Sequence, residues 1–210
     1  MRLPEYRAAA ESLVEWGQML YTRGLLAARE GNLSVRVGPG QFAITPAGSC
    51  KGRLTARQIL LVNERGRVLA GQGQPSSETA LHLGIYRHRA DACAVVHAHP
   101  PVATGFAAAG RALEAPVLPE LLVELGGVPL APFAAPGSQE LFESVRPLIA
   151  RHEVLLLASH GAVAFSTLGL EDAALRMEQL EQAARILLTA HLLGGARPLD
   201  PTWLRQLARS

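Results

Sequence analysis

A chain of 210 residues, 49% of them hydrophobic, is long enough for one buried core, and a single domain over residues 1–210 is the expectation. Its 20 basic and 18 acidic residues are scattered to a net charge of +2, so no basic stripe suggests nucleic acid as a partner. Cys50 and Cys93 lack CxxC spacing, which argues against a disulfide framework or a thiolate zinc knuckle. No run approaches the ~18 apolar residues of a membrane span, and a soluble, cytoplasmic protein without membrane partners is expected.

From Tyr6 to about Gly24, Ala8, Leu13, Trp16 and Leu20 recur at helical spacing, and Gly24 is placed to end the helix. NLSVRVG and QFAITP alternate apolar and polar residues around Gly38-Pro39-Gly40, a hairpin pattern that LLVNERGRVLAG repeats around Glu64-Arg65-Gly66. SSETALHLGIYRHR reads as a helix capped by Ser76 or Ser77, with Leu81, Ile85 and Tyr86 on its apolar face. ACAVVHAH is a strand and PPVATGFAAAG a helix. The Pro/Gly-rich stretch to Pro136 is expected to hold irregular segments and a short strand near VPLAP. SQELFESVRPLIAR is a helix, VLLLASHGAVAFS a strand pair or a strand broken at Gly161, and LEDAALRMEQLEQAARILLTAHLL a long amphipathic helix. Hairpins followed by alternating helices and strands favour an α/β sandwich with a largely antiparallel sheet.

On a strand, residues i and i+2 point to one face, so His97 and His99 project together and suit one metal ion. An open zinc site needs about three protein ligands. His160, at the end of a second apolar run in LLLASHG, is the third candidate. Histidines at strand ends are also ordinary surface or core groups; for His82, His88, His152 and His191, on helices or helix ends, a solvated or capping role is the expectation. Glu78 either favours the positive helix start or serves beside a metal as general base or displaceable ligand, and spacing does not separate these. REGNLS and TPAGSCKG carry turns in which backbone N–H groups could meet an anion. Lys51, the only lysine, is the single candidate for Schiff-base chemistry.

The segments GNLSVR, ITPAG, PSSE, AVVHAH and SHG, in that order, resemble the class II aldolase/adducin-head family, and most of all its fuculose-phosphate aldolase branch. The resemblance spans about residues 8 to 190. It implies a three-layer α/β/α sandwich around a mixed, largely antiparallel sheet, and a homotetramer with sites at subunit interfaces. His97, His99 and His160 match the family's zinc ligands, one zinc per subunit, and Glu78 its acid/base carboxylate. Asn32, Gly48, Ser76 and Ser77 match positions that hold a substrate phosphate. The implied activity is reversible zinc-dependent aldol cleavage of a small ketose 1-phosphate such as L-fuculose 1-phosphate, giving dihydroxyacetone phosphate and an aldehyde. The alternatives are a sugar-phosphate epimerase, a methylthioribulose-phosphate dehydratase or a sugar-acid-phosphate decarboxylase and, less favoured, a non-catalytic adducin-like module. Two positions depart from the pattern: Ala47 replaces a hydroxyl-bearing residue, and Glu120 stands where that branch has a proton-donating tyrosine.

Overall fold

The computed structural model describes residues 3–200 and 202–203. In chain order it contains α1 (Leu3–Thr22), β1 (Asn32–Gly38), β2 (Gln41–Ile44), short 3-10 turns at Lys51–Arg53 and Ala56–Gln58, β3 (Leu60–Asn63), β4 (Val68–Ala70) and α2 (Thr79–His88). Then come β5 (Ala94–Ala98), α3 (Pro101–Ala108), α4 (Pro119–Leu125), β6 (Leu130–Ala131), α5 (Gln139–Val145), β7 (Val154–Leu157), β8 (Gly161–Ser166) and α6 (Leu170–Leu192). The strands form one eight-stranded sheet in the order β4-β3-β2-β1-β5-β8-β7-β6. Only β6 and β7 run parallel; every other neighbouring pair is antiparallel.

Strand alternation divides the core into two layers. Leu33, Ala94, Val96, Ala98, Leu156, Ala162 and Ala164 pack with residues of α1, α3, α4 and α6 on one face. Phe42, Val95, Leu155, Leu157, Val163 and Phe165 pack with residues of α2 and α5 on the other. Because both faces are covered, β5 and β8 show no apolar/polar alternation and all their residues are buried, the polar His97 and Ser166 included. The result is the expected three-layer α/β/α sandwich with a mixed, largely antiparallel sheet.

Both anticipated hairpins form, β1 with β2 and β3 with β4. Three elements differ from expectation. Helix α2 has Glu78 at its N-cap rather than a serine; Ser76 instead closes a turn two residues earlier, where its carbonyl accepts the Thr79 N–H at 3.0 Å. The Pro/Gly-rich stretch contains a true short helix, α4, because Pro119 is preset for a first turn and Gly126 closes it at φ 66°. Helix α5 stops at Val145: Arg146 is still in the αR region with its N–H on the Phe142 carbonyl, but Pro147 has no N–H to carry the ladder further.

Helices α2 and α5 meet where Gly84 faces Phe142: a Cβ at Gly84 would lie 2.3 Å from the Phe142 ring. Gly84→Ala gains about 1 kcal/mol of helix propensity. Overpacking of the buried ring costs about 1–3 kcal/mol. The expected outcome is a net loss of stability, read as a lower midpoint in urea with an unchanged m-value.

Candidate metal centre

Strand β5 lies between β1 and β8, and this pairing sets Asn32 and Val163 on either side of His97. His97 is fully buried on the α2/α5 face. His99 follows one residue past the strand. The β7–β8 hairpin turn, in which Ser159 takes φ 55°, delivers His160. Two glycines make this approach possible. A Cβ at Gly161 would lie 2.4 Å from His99 Cδ2, and one at Gly31 would lie 2.7 Å from the His97 carbonyl oxygen.

The ligand atoms of His97, His99 and His160 all lie within 4.8 Å of one another. His97 Nδ1 donates to the Ala162 carbonyl at 2.9 Å, and His99 Nδ1 donates to Glu30 Oε2 at 3.0 Å. A carbonyl or carboxylate oxygen only accepts, so in each neutral ring the proton sits on Nδ1 and Nε2 is bare. Those two Nε2 atoms face each other at 3.1 Å. Glu78 completes the set, with Oε2 at 3.0 Å from His97 Nε2 and Oε1 at 3.2 Å from His160 Nε2. Such a convergence of acceptors holds together only around shared protons or a cation. The donor set, three imidazole nitrogens and a carboxylate with Nδ1 hydrogen bonds behind two of them, fits a divalent first-row metal.

Burial alone would raise the Glu78 carboxyl, but contacts from His160, His97 and Asn32 outweigh it and hold the group well below the usual carboxylate range. The His99 ring is lowered first of all by burial and then by its neighbour His97, against the pull of Glu30; the shift favours the neutral form that a metal requires. At rest Glu78 is an ionised carboxylate, and its place at the helix start does not exclude a role beside a metal.

The loops expected to meet an anion are brought together. Lys51, 2% exposed, donates to the carbonyls of Arg29 at 3.0 Å and Ser49 at 2.9 Å, and so ties the loop before Asn32 to the one holding Gly48. Burial lowers its pKa to about 8 against the opposing effects of Cys50 and Glu78. The ammonium is thereby engaged on carbonyls rather than presented as a nucleophile. An isolated bridge from Pro46 to Pro75 and the bond from Ala47 N–H to Gln74 join the Gly48 loop to Ser76 and Ser77. Gly48 is exposed at φ 64°, Ser77 is exposed, and Ser76 Oγ accepts the Glu78 N–H at 3.3 Å. The Asn32 side chain is buried against Glu78 and His82. The side chain of Glu120, on α4, lies outside the described residues.

His82 corrects an expectation: it is neither solvated nor a cap but fully buried, bonded to Asn32 and Ser34. His88 and His191 do bond back to helix carbonyls, at Gly84 and Leu187. The available signal for His82 was its spacing four residues after Glu78, which puts both on one helix face. Glu30, which orients His99, had no sequence signal beyond its loop.

The family model described as Class II Aldolase and Adducin N-terminal domain matches residues 11–188. A 3-oxo-tetronate 4-phosphate decarboxylase of Pectobacterium atrosepticum is 35% identical over 188 residues, covering 87% of this chain and 84% of its own. A methylthioribulose-1-phosphate dehydratase of Methylococcus capsulatus is 46% identical over 100 residues, 48% of each chain. Among solved structures, the L-fuculose-1-phosphate aldolase of Thermus thermophilus superposes with a TM-score of 0.79 at 33% identity, covering 94% of this chain and 100% of that one.

Two outcomes are expected. Elemental analysis finds about one divalent metal per chain in the wild type and little in His97→Ala; stoichiometric metal in the variant would exclude these nitrogens as its ligands. Burial, first of all, lowers His82 from 6.5 to about 3, with a smaller contribution from His97. Between those values the unfolded chain binds a proton that the folded chain refuses, so stability is full above pH 6.5 and falls as pH drops towards 3. His82→Gln flattens that slope between pH 6.5 and 4.5 in urea titrations.

Proposed function

Because this chain belongs to the class II aldolase and adducin N-terminal domain family, we propose that it is a metal-dependent carbon–carbon lyase acting on a small phosphorylated 3-oxo sugar acid. The observation that carries this reading is the convergence of three imidazole Nε2 atoms and the Glu78 carboxylate on one point. Zinc, one per subunit on His97, His99 and His160, is the proposed metal, and it would supply Lewis acidity to adjacent substrate oxygens.

The chain's own groups do the rest. The bond between the carboxylate and carbon 2 breaks, its electron pair moves towards the neighbouring carbonyl, and CO2 leaves. Glu78 delivers to carbon 2 a proton taken up from solvent, completing dihydroxyacetone phosphate. The proposed phosphate cradle, from Asn32, Gly48, Ser76 and Ser77, fixes the remote end of the substrate so that the reacting carbon is held against Glu78.

Decarboxylation is favoured over aldol cleavage by what leaves. A carboxylate departs with no proton to remove, whereas an aldehyde departs only after its hydroxyl proton is taken. The chain has three tyrosines. Tyr6 donates to the Ile59 carbonyl, Tyr86 is buried against Ser34, and Tyr21 lies on α1 over Gly52. The similarity to the decarboxylase over 188 residues points the same way. Aldol cleavage of a ketose 1-phosphate is the second reading, supported by the superposition on the fuculose enzyme. The homotetramer also belongs to this proposal, supported by exposed Phe133, Leu168, Leu192 and Leu193. No helix among the described residues is long and apolar enough to cross a membrane, and a cytoplasmic place is proposed with the rest.

Zinc-loaded protein supplied in turn with 3-oxo-tetronate 4-phosphate, L-fuculose 1-phosphate and methylthioribulose 1-phosphate is expected to release CO2 from the first. Two organic fragments from the second alone would establish the aldolase reading, and loss of water from the third alone a dehydratase. Glu78→Gln is expected to keep its metal and lose about 10²-fold or more in rate.

A further inference from the structure

Behind Glu78 runs a chain of polar groups of which the proposed chemistry uses only Asn32. Asn32, Ser34 and Arg36 project from alternate positions of β1 towards α2. Glu78, His82 and Tyr86 succeed one another at four-residue steps along the facing side of α2. Two strand residues advance about 6.7 Å, and four helical residues about 6 Å. The two ladders therefore interleave. Asn32 Nδ2 lies 2.8 Å from Glu78 Oε2, and Asn32 Oδ1 lies 2.5 Å from His82 Nε2. His82 Nδ1 is 2.6 Å from Ser34 Oγ, which is 2.8 Å from the Tyr86 hydroxyl. The Arg36 guanidinium closes the far end over the Tyr86 ring, with its centre 5.0 Å from the ring centroid.

The direction of every bond follows from the carboxylate. An ionised Glu78 only accepts, so the Asn32 amide must turn its NH2 to it and its oxygen to His82. That oxygen only accepts, so His82 must carry its proton on Nε2. Nδ1 is then bare and takes the Ser34 hydroxyl proton, leaving Ser34 Oγ to accept from Tyr86. Flipping the amide, or moving the imidazole proton to Nδ1, would set acceptor against acceptor in a site where His82 is fully buried and Glu78 is 7% exposed.

We propose that His82 is the positioning residue of the acid/base carboxylate: it locks the Asn32 amide in one orientation and, through it, fixes Glu78 Oε2 as a permanent acceptor. Oε1 is then the oxygen that exchanges protons with substrate. The chain is a lock and not a proton wire, because an amide passes no proton between its nitrogen and oxygen without changing its bonding, and because Tyr86 ends in the core, 3% exposed. Asn32 retains one N–H for substrate.

This inference rests on Glu78 being the acid/base group, and its test separates the two. Long-range proton–nitrogen NMR on 15N-histidine-labelled, zinc-loaded wild-type protein is expected to show His82 neutral with its proton on Nε2. A proton on Nδ1, or a doubly protonated ring near neutral pH, overturns the lock whatever the enzyme catalyses. In kinetics, His82→Leu is expected to lower kcat 10- to 100-fold with KM and zinc content unchanged. His82→Gln, which keeps a donor near the Nε2 position, is expected to restore most of that rate. Equal losses in folded His82→Leu and His82→Gln, or a loss in KM alone, would also overturn it. If His82→Leu does not fold, the wild-type tautomer and the glutamine variant decide. An Nε2 proton on His82 in a protein inactive towards all three sugar phosphates supports the lock and overturns the reaction.

Discussion

The hydrogen bond from His97 Nδ1 to the Ala162 carbonyl ties the chemistry of the site to the sheet. Ala162 pairs with Ala98 across β5 and β8, next to the pairing of His97 with Val163. The register that stacks Val95 against Phe165 in the core therefore also decides which ring nitrogen of His97 keeps its proton. A slip of one residue would turn His97 to the opposite face and Ala98 into its place. The geometry of the histidine cluster is in this sense a by-product of a well-specified apolar pairing, and Val163 beside His97 and Phe165 further along β8 protect it by leaving the strand no alternative register.

The opposite face of the sheet is built for rigidity. Small residues, Ala94, Ala98, Ala162 and Ala164, let α3 and α6 lie close to the strands. The Glu181 carboxylate accepts the N–H groups of Val102 and Ala103 at the start of α3, immediately after His99 and the two prolines. This bond and the prolines hold the exit of the chain from the site. His99 is thus fixed from both sides, by Glu30 on its ring and by an anchored helix behind its backbone.

Much of this was legible in the sequence, and the parts that were not share a physical cause. Period-two alternation and turn glycines gave the hairpins, and apolar runs ending in polar residues pointed to His97, His99 and His160. Those are local signals. Helix α4 was hidden because a prolyl start and a glycyl end resemble loop composition unless read as caps. The burial of His82 was hidden because a histidine on a helix looks the same whether it faces water or a strand. What distinguishes it is that Asn32 and Ser34 stand opposite, and that contact joins residues about 50 positions apart. Lys51 was weighed only as a nucleophile, since nothing local shows that its ammonium reaches the carbonyls of Arg29 and Ser49.

That lysine bears on how one scaffold serves several reactions. Its charge is held behind both loops by two carbonyls and lies close enough to Glu78 for the carboxylate to support its protonation. The proposed phosphate cradle and the proposed acid/base group would therefore be coupled through the field of a single buried cation. Around that fixed arrangement, cleavage next to a carbonyl has the same demands whether the departing piece is CO2 or an aldehyde: charge stabilised at the oxygens, a proton placed on carbon, a phosphate held at a distance. What differs is whether the departing piece must first lose a proton. Reaction type in this fold should accordingly be set less by the histidines and Glu78 than by the groups that reach the far side of the substrate, where this chain offers no tyrosine from the segment around Glu120.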